Sequence, residues 1–349
     1  MNSNARQRID FALLRPALEE LLNRQRATPA AITSLRRRLS DYSSSYTIEN
    51  LSVDLTDGTH LQLVLKNLSP DSVLQTARKV RPGFLYHPRN EILTYQQILT
   101  SRELGTPRCY GTVEDAHREQ YWLFLERVNG PLLWQVAGGE VWNDAARWLA
   151  RLHLSFAATA RSNPDPNWQH LLKYDEAFFQ VWPARAEEFV RQRDLAGTPA
   201  HRARFSRLLA GYAKVVRRLQ ALPATFIHGE FYPSNVIVQS DTKPPRICPV
   251  DWEMAAIGPG LMDVATLTSG DWAESDQFAM ISAYRDALAA EGTPDLSLPE
   301  MIEAVDYCRL HHAVQLLGWS ADWHPPERHT QNWFSQALRL SDRLGISKA

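Results

Sequence analysis

The stretch FIHGEFYPSN, Phe226 to Asn235, organises the reading of this chain. Apolar Phe226 and Ile227 lead into a loop that sets a histidine (His228), a carboxylate (Glu230) and an amide (Asn235) at fixed spacing, with Pro233 marking the turn. Downstream, NVIV and RICPV read as two short strands flanking the turn DTKPPR, and DWEMAAIGPG follows. A hairpin of that kind returns Asn235 and Asp251 to one edge, so two oxygen-bearing side chains come together although sixteen residues of sequence separate them.

Upstream the texture changes twice. From Tyr46, Leu51, Val53 and Leu55 alternate up to the turn Asp57-Gly58, and Leu61, Leu63 and Leu65 alternate beyond it, which predicts a β-hairpin. Lys66 falls on the face opposite Leu65. Asn90 is expected to cap a helix carrying Ile92, Tyr95, Ile98 and Leu99, with Glu91 in its first turn. YWLFLERV, Tyr121 to Val128, reads as an apolar strand running into a turn at NGPLL. Beyond Pro131 helical stripes dominate: Val141, Ala145, Trp148, Leu149, Leu152 and Phe156 form one, and Leu208, Tyr212, Val215, Val216 and Leu219 another. Ser297 with Glu300 makes a capping box, Gly318 is expected to stop that helix, and Trp333 to Leu344 carries a last amphipathic one. Before all this, Pro16–Arg24 and Ala30–Leu39 read as two short helices, the second ending in Arg36, Arg37 and Arg38 as a solvated face. The predicted organisation is therefore a helical extension over residues 1–39, a β-rich lobe over 40–127 and a helical lobe over 128–349.

Composition narrows the function. The chain has 349 residues, 44% of them hydrophobic and 22% charged, with a net charge of -1, and it lacks the basic excess that nucleic acid or an anionic membrane surface demands. Cys109, Cys248 and Cys308 are odd in number and lie outside metal-ligand spacing, so neither a disulfide framework nor a zinc site is expected. No apolar signal core opens the chain and no run is long enough to span a bilayer. A cytoplasmic protein is the expectation.

Phosphoryl transfer asks a protein mainly to position phosphates and neutralise charge. It needs a lysine on a strand, a carboxylate to fix that lysine, an amide and a carboxylate for Mg²⁺, and a carboxylate near the attacking hydroxyl. Lys66, Glu91, Asn235, Asp251 and Glu230 supply candidates for each. A kinase-type loop has Asp where this chain has Glu230, which keeps the charge but adds one methylene, about 1.5 Å of reach.

These segments resemble the aminoglycoside phosphotransferase and choline kinase group of small-molecule kinases. The likeness runs from about Asp41 to Leu267 and rests on HGEFYPSN (His228–Asn235), VDWEMAAIGPGLMDVATL (Val250–Leu267), WLARLH (Trp148–His153) and NEILTYQQIL (Asn90–Leu99). The resemblance implies an α+β, bilobal protein-kinase-like fold, with a small β-rich N-lobe and a larger, mainly helical C-lobe. It implies ATP and Mg²⁺ as cofactors and a small-molecule hydroxyl as acceptor. By the same resemblance Lys66 contacts the ATP phosphates, Glu91 pairs with it, Asn235 and Asp251 bind the metal, and Glu230 takes the catalytic position. Residues 126–128, with Glu126 and Val128, become the hinge that receives adenine. Asp263 and His228 read as scaffolding of the catalytic loop, and His153 as a core histidine.

Two departures stand out. No glycine-rich loop precedes Lys66, and DYSSSYT, Asp41 to Thr47, occupies its place, with Ser43, Ser44 and Ser45 as candidate phosphate donors. Glu230 leaves open a nucleotide-binding pseudokinase acting as a regulatory or scaffold module. A protein kinase proper fits less well, because no activation segment separates Asp251 from the GPG stretch. Trp272, Glu274, Asp276, Trp319, Asp322 and Trp323 offer an aromatic and acidic lining that would suit a cationic acceptor.

Overall fold

Leucine and valine alternation across Asp57-Gly58 folds the chain into antiparallel β2 (Thr47–Leu55) and β3 (His60–Asn67), with Asp54 opposite His60 and Thr47 opposite Asn67. β5 (Gln120–Glu126) adds to β3 with Lys66 opposite Leu123, and β4 (Cys109–Asp115) pairs on the outside of β5. The computed structural model that shows this describes residues 8–41, 45–74, 77, 82–85, 87–161, 166–270, 272–292, 296–320 and 325–346.

The fifth strand of this sheet corrects the sequence reading. Residues expected to form a second N-terminal helix form β1 (Ile32–Leu39), paired antiparallel with β2 at the sheet edge, in the order β1-β2-β3-β5-β4. β-branched Ile32 and Thr33 favour this geometry, and strand alternation splits the arginine run. Arg36 and Arg38 are exposed, whereas Arg37 turns inward and donates to Glu49 Oε1 at 2.5 Å and to Ile9 O at 2.8 Å. Glu49, also buried, is bound by Arg8 at 2.7 Å.

The first predicted helix is present as α1 (Phe11–Asn23), started by Asp10, whose carboxylate accepts from Ala12 N. Its Leu14, Leu18, Leu21 and Leu22 cover one face of the sheet, packing with Leu51, Leu63, Leu65 and Phe124. The other face bears Lys66, Leu123 and Leu125 and joins the larger core, which the helical part of the chain builds. Against it lies α2 (Arg89–Leu93), continued by a π-helical turn over Thr94–Ile98. The residue before this helix is Pro88, and Asn90 sits inside its first turn instead of capping it.

The helical part comprises α3 (Gly139–Arg161), α4 (Glu176–Gln192), α5 (Pro199–Ala210), α6 (Tyr212–Gln220), α7 (Leu261–Leu267), α8 (Glu274–Ala290), α9 (Leu298–Trp319) and α10 (Glu327–Arg343). Beyond its first turn α9 is buried almost throughout, taking Asp306, Arg309, His311, His312 and Gln315 inside with its apolar residues, and packs against α4, α6, α7, α8 and α10. Its expected capping box forms, with Ser297 N donating to Glu300 Oε2 at 2.9 Å. Gly318 does not stop the helix. It lies within the last turn, where a Cβ would meet Trp182 O at 2.9 Å, so glycine is there for close approach to α4.

Between these helices run short strands that present the site. β7 (Ala224–Ile227) pairs with β10 (Ala256–Pro259), which also pairs with β6 (Leu172–Lys173), while β8 (Val236–Gln239) and β9 (Arg246–Pro249) form the predicted hairpin. The α+β architecture, a β-rich part followed by a larger helical one, is the one the sequence implied. Among the described residues, no helix is long and apolar enough to cross a membrane.

Candidate active site

Lys66 is the meeting point. β3 carries it on the face turned toward the helical lobe, and its ammonium lies 2.5 Å from Glu91 Oε2 on α2 and 2.7 Å from Asp251 Oδ1 just after β9. Lys66 and Glu91 are almost fully buried, and the Asp251 side chain is 26% exposed. Burial by itself would weaken the lysine's charge, but the attraction of Asp251, Glu91 and Glu253 outweighs it and keeps the group an ammonium. Burial pushes the Glu91 carboxyl up, against the pull of the Lys66 ammonium. Glu91 Oε1 also accepts from Trp252 N at 3.2 Å. A single carboxylate therefore fixes both the lysine and the backbone beside Asp251.

Asp251 occupies the left-handed region, with φ of 68° and ψ of 62°, a conformation that aspartate tolerates better than most residues. Asn235 is brought beside it by the β8–β9 ladder, since Val250 N donates to Asn235 O at 2.8 Å. The Asn235 side-chain Nδ2 donates to Glu230 O at 3.1 Å, which leaves its oxygen as the acceptor of that amide. Among the described residues, no group of three or more His, Cys, Asp and Glu side chains is arranged to hold a metal.

The catalytic-loop segment hangs from one buried carboxylate. Asp263, at the start of α7, accepts from His228 N at 2.7 Å and from Gly229 N at 2.9 Å. His153 Nε2 lies 3.2 Å from the same carboxylate, and His153 Nδ1 lies 3.0 Å from the Tyr284 hydroxyl. Gly229 has φ of 83°, and a Cβ on it would stand 2.2 Å from Met254 O, so the loop tolerates only glycine there. His228 Nε2 sits 3.0 Å from Val250 O, and burial lowers its pKa, which keeps it neutral. His228 thus stands where the scaffold reading put it, and His153, read as a core histidine, is buried and bonded. Glu230 is half-buried, and after burial its charge is the next cause raising the Tyr174 and Tyr232 hydroxyl pKa values. Tyr232, two residues on, reaches His312 Nε2 on α9 at 2.9 Å.

The other expected site residues divide. Ser45 Oγ donates to Glu253 Oε1 at 3.1 Å, tying the segment before β2 to the strip that carries Asp251. Ser43 and Ser44 lie outside the described residues, as do Asp322 and Trp323. The Glu126 carboxylate is held by Arg246 in two bonds of 2.8 Å, which keep it below the usual carboxylate range, and its N–H donates to Arg108 O. Its side chain joins the end of β5 to the β8–β9 hairpin, and Val128 follows two residues later. Trp272 and Trp319 serve packing: Trp272 meets Trp142 edge-on at 4.4 Å and Trp319 stacks on Trp182 at 5.5 Å. Glu274 reaches Arg343 at the surface, and Asp276 belongs to the first turn of α8.

A buried lysine held by a helix carboxylate and by an aspartate beside a histidine-anchored loop, between a five-stranded sheet and a helical lobe, defines a kinase-like phosphotransferase. The sequence model described as the phosphotransferase enzyme family matches residues 48–298. The chain belongs to that family and is an enzyme of the ATP-dependent kinase class, as its sequence leads one to expect. Solved structures share the fold. Choline kinase from Cryptosporidium parvum Iowa II is 12% identical with a TM-score of 0.61, covering 97% of this chain and 98% of its own. A microcompartment-associated aminopropanol kinase is 15% identical with a TM-score of 0.59, covering 96% and 97%. Spectinomycin phosphotransferase, solved with ADP and spectinomycin, is 14% identical with a TM-score of 0.56, covering 98% and 99%. No curated protein matches this chain in sequence.

Sequence reasoning missed several contributors. Glu253 was within the DWE segment but received no role, because nothing in the letters shows that Ser45 would reach it. Asn90 was read as a cap, yet its Nδ2 donates to Glu253 O at 2.8 Å and Ala255 O at 3.1 Å, pinning α2 to the strip that follows Asp251. The Tyr232–His312 contact joins residues eighty positions apart and had no local signal.

Proposed function

We propose that this enzyme transfers the γ-phosphate of Mg-ATP to a hydroxyl group of a small molecule. The observation that carries the reading is Lys66 held between Glu91 and Asp251, from three separate parts of the chain. The nucleotide would lie between the sheet lobe, residues 40–127 with β1 added at its edge, and the helical lobe, 128–349. Lys66 would hold its phosphates, kept extended by Glu91, with Ser45 and its neighbours donating to the same oxygens. Val128 would offer its backbone N–H to adenine, and the backbone of Glu126 would line the same edge while its carboxylate braces the hinge.

Asn235 and Asp251 suit a magnesium ion. Both present oxygens, they share one ladder end, and the Asn235 nitrogen is already committed to Glu230 O. When bound, the ion would neutralise charge on the phosphates. Glu230 would accept the proton of the attacking hydroxyl. Asp263 holds the loop backbone at His228 and Gly229, so the longer side chain of glutamate starts from a tethered main chain. The solved relatives named for choline, aminopropanol and spectinomycin make amine-bearing alcohols the first acceptors to try.

The test is a screen of such alcohols with labelled ATP and the purified protein, repeated with Glu230→Gln and Glu230→Asp. The expected result is saturable product, reduced about 10²- to 10⁴-fold in Glu230→Gln. Equal turnover by Glu230→Gln would refute the base assignment. ATP binding with no product from any acceptor would instead favour the pseudokinase reading.

A further inference from the structure

A cavity lies behind the catalytic loop, at the end of β7 away from Glu230. Its volume is about 790 Å³, within the range that holds small organic ligands. Leu154 and Ala157 of α3, Leu288 of α8, and Leu261 and Met301 at the starts of α7 and α9 give it apolar walls. Arg285 is its cation, and none of the described lining residues is acidic. The Arg285 side chain is 37% exposed and its recorded ion pair is a loose one of 3.4 Å to Asp286, so the guanidinium sits at the rim. Ser297, also in the lining, is already bonded by the Glu300 carboxylate, which disfavours an anion beside it.

The inner wall connects with the loop. His153 and Tyr284 line the cavity and lie 3.0 Å from each other, and His153 is 3.2 Å from Asp263, which holds the amides of His228 and Gly229. Thr225, also in the wall, donates to His153 O at 2.8 Å. A molecule in the cavity therefore touches the first member of a chain of hydrogen-bonding groups that ends at the loop backbone.

We propose that this cavity binds an apolar molecule bearing a single anionic group, with its body against Leu154, Leu288 and Met301 and its anion at Arg285, and that occupancy is transmitted through His153 and Asp263 to the catalytic loop. Binding stands independently of the phosphotransfer reading, and only the importance of the loop rests on it.

The probes are 8-anilino-1-naphthalenesulfonate, followed by its fluorescence, and decanoate as competitor, with the full-length protein and no nucleotide. The expected result is one saturable class of sites from which decanoate displaces the dye. Ala157→Trp, which fills the cavity, should weaken dye binding about tenfold or more. Arg285→Glu, a rim change that leaves the core intact, should weaken both anions about tenfold and leave decanol unaffected. Absence of saturable binding, or dye binding by both variants as tight as by the unaltered protein, overturns the site. Hydrogen exchange in the peptide spanning Phe226–Asn235 tests transmission: decanoate should change the exchange of the His228 and Gly229 amides about twofold or more. Binding with unchanged exchange there overturns the coupling while leaving the site.

Discussion

The two faces of the sheet each bury a charged cluster, and the clusters are built to opposite ends. On the α1 face, Glu49 is 2% exposed and is shared by Arg37 and Arg8, while Arg37 also satisfies Ile9 O. All of it comes from the first 49 residues, and its centre is sealed. On the other face, Lys66 draws carboxylates from α2 and from the end of β9, 185 residues away, and one of them, Asp251, keeps a partly exposed side chain. A closed cluster holds elements together, whereas one with an accessible edge can exchange a protein partner for a ligand.

Asp251→Asn should separate these roles most sharply. Activity should fall about a thousandfold or more, because a charged ligand of the proposed metal is lost. Thermal stability without ligand should stay within about 1 kcal/mol, because Lys66 keeps Glu91 and Asp251 is partly exposed. Unfolding midpoints with and without Mg-ATP check both claims, and a strongly destabilised ligand-free variant would erase the contrast. Glu49→Gln should do the reverse, costing about 3–5 kcal/mol by leaving Arg37 without its carboxylate, while Mg-ATP still raises the midpoint of whatever protein folds.

A third set of buried polar groups is neutral, so acid tests it better than truncation. Burial lowers His311 to about 3 and His312 to about 4, where they meet Tyr212 and Tyr232. Their folded pKa values lie below the unfolded value of about 6.5, so their contribution is fully present above that pH and declines as pH falls toward 4. The loss should be roughly 2 kcal/mol for each histidine between pH 6.5 and 5, read from denaturant unfolding at fixed ionic strength. Flat stability across that window would contradict the burial. Ser45→Ala is the mildest change, expected to raise the KM for ATP less than about tenfold through loss of one hydrogen bond to Glu253. A larger effect would move Ser45 from the margin of the site to its centre.

Much of the site was legible because its chemistry is carried by short segments with regular spacing. The leucine alternation around Asp57-Gly58 fixed the face on which Lys66 emerges, and the β8–β9 hairpin followed from two apolar runs around a proline-rich turn. Where a side chain's role depends on a distant partner, the letters were silent. Arg36, Arg37 and Arg38 look alike in sequence, and only pairing with β2 distinguishes the buried one from its exposed neighbours. Gly318 looks like a terminator until the proximity of Trp182 explains it. The tryptophans illustrate the same limit: the letters suit either an acceptor lining or core packing, and Trp272 and Trp319 pack on other tryptophans.

The hold of Asp263 on two successive loop amides has a wider consequence. Suspended by its main chain, the loop owes its path to a residue thirty-odd positions away and to the glycine that lets it pass Met254. The proposed base at 230 thus follows directly on a main chain anchored from α7. Exchanging Glu230 for aspartate is expected to shorten its reach while the two amide tethers to Asp263 persist.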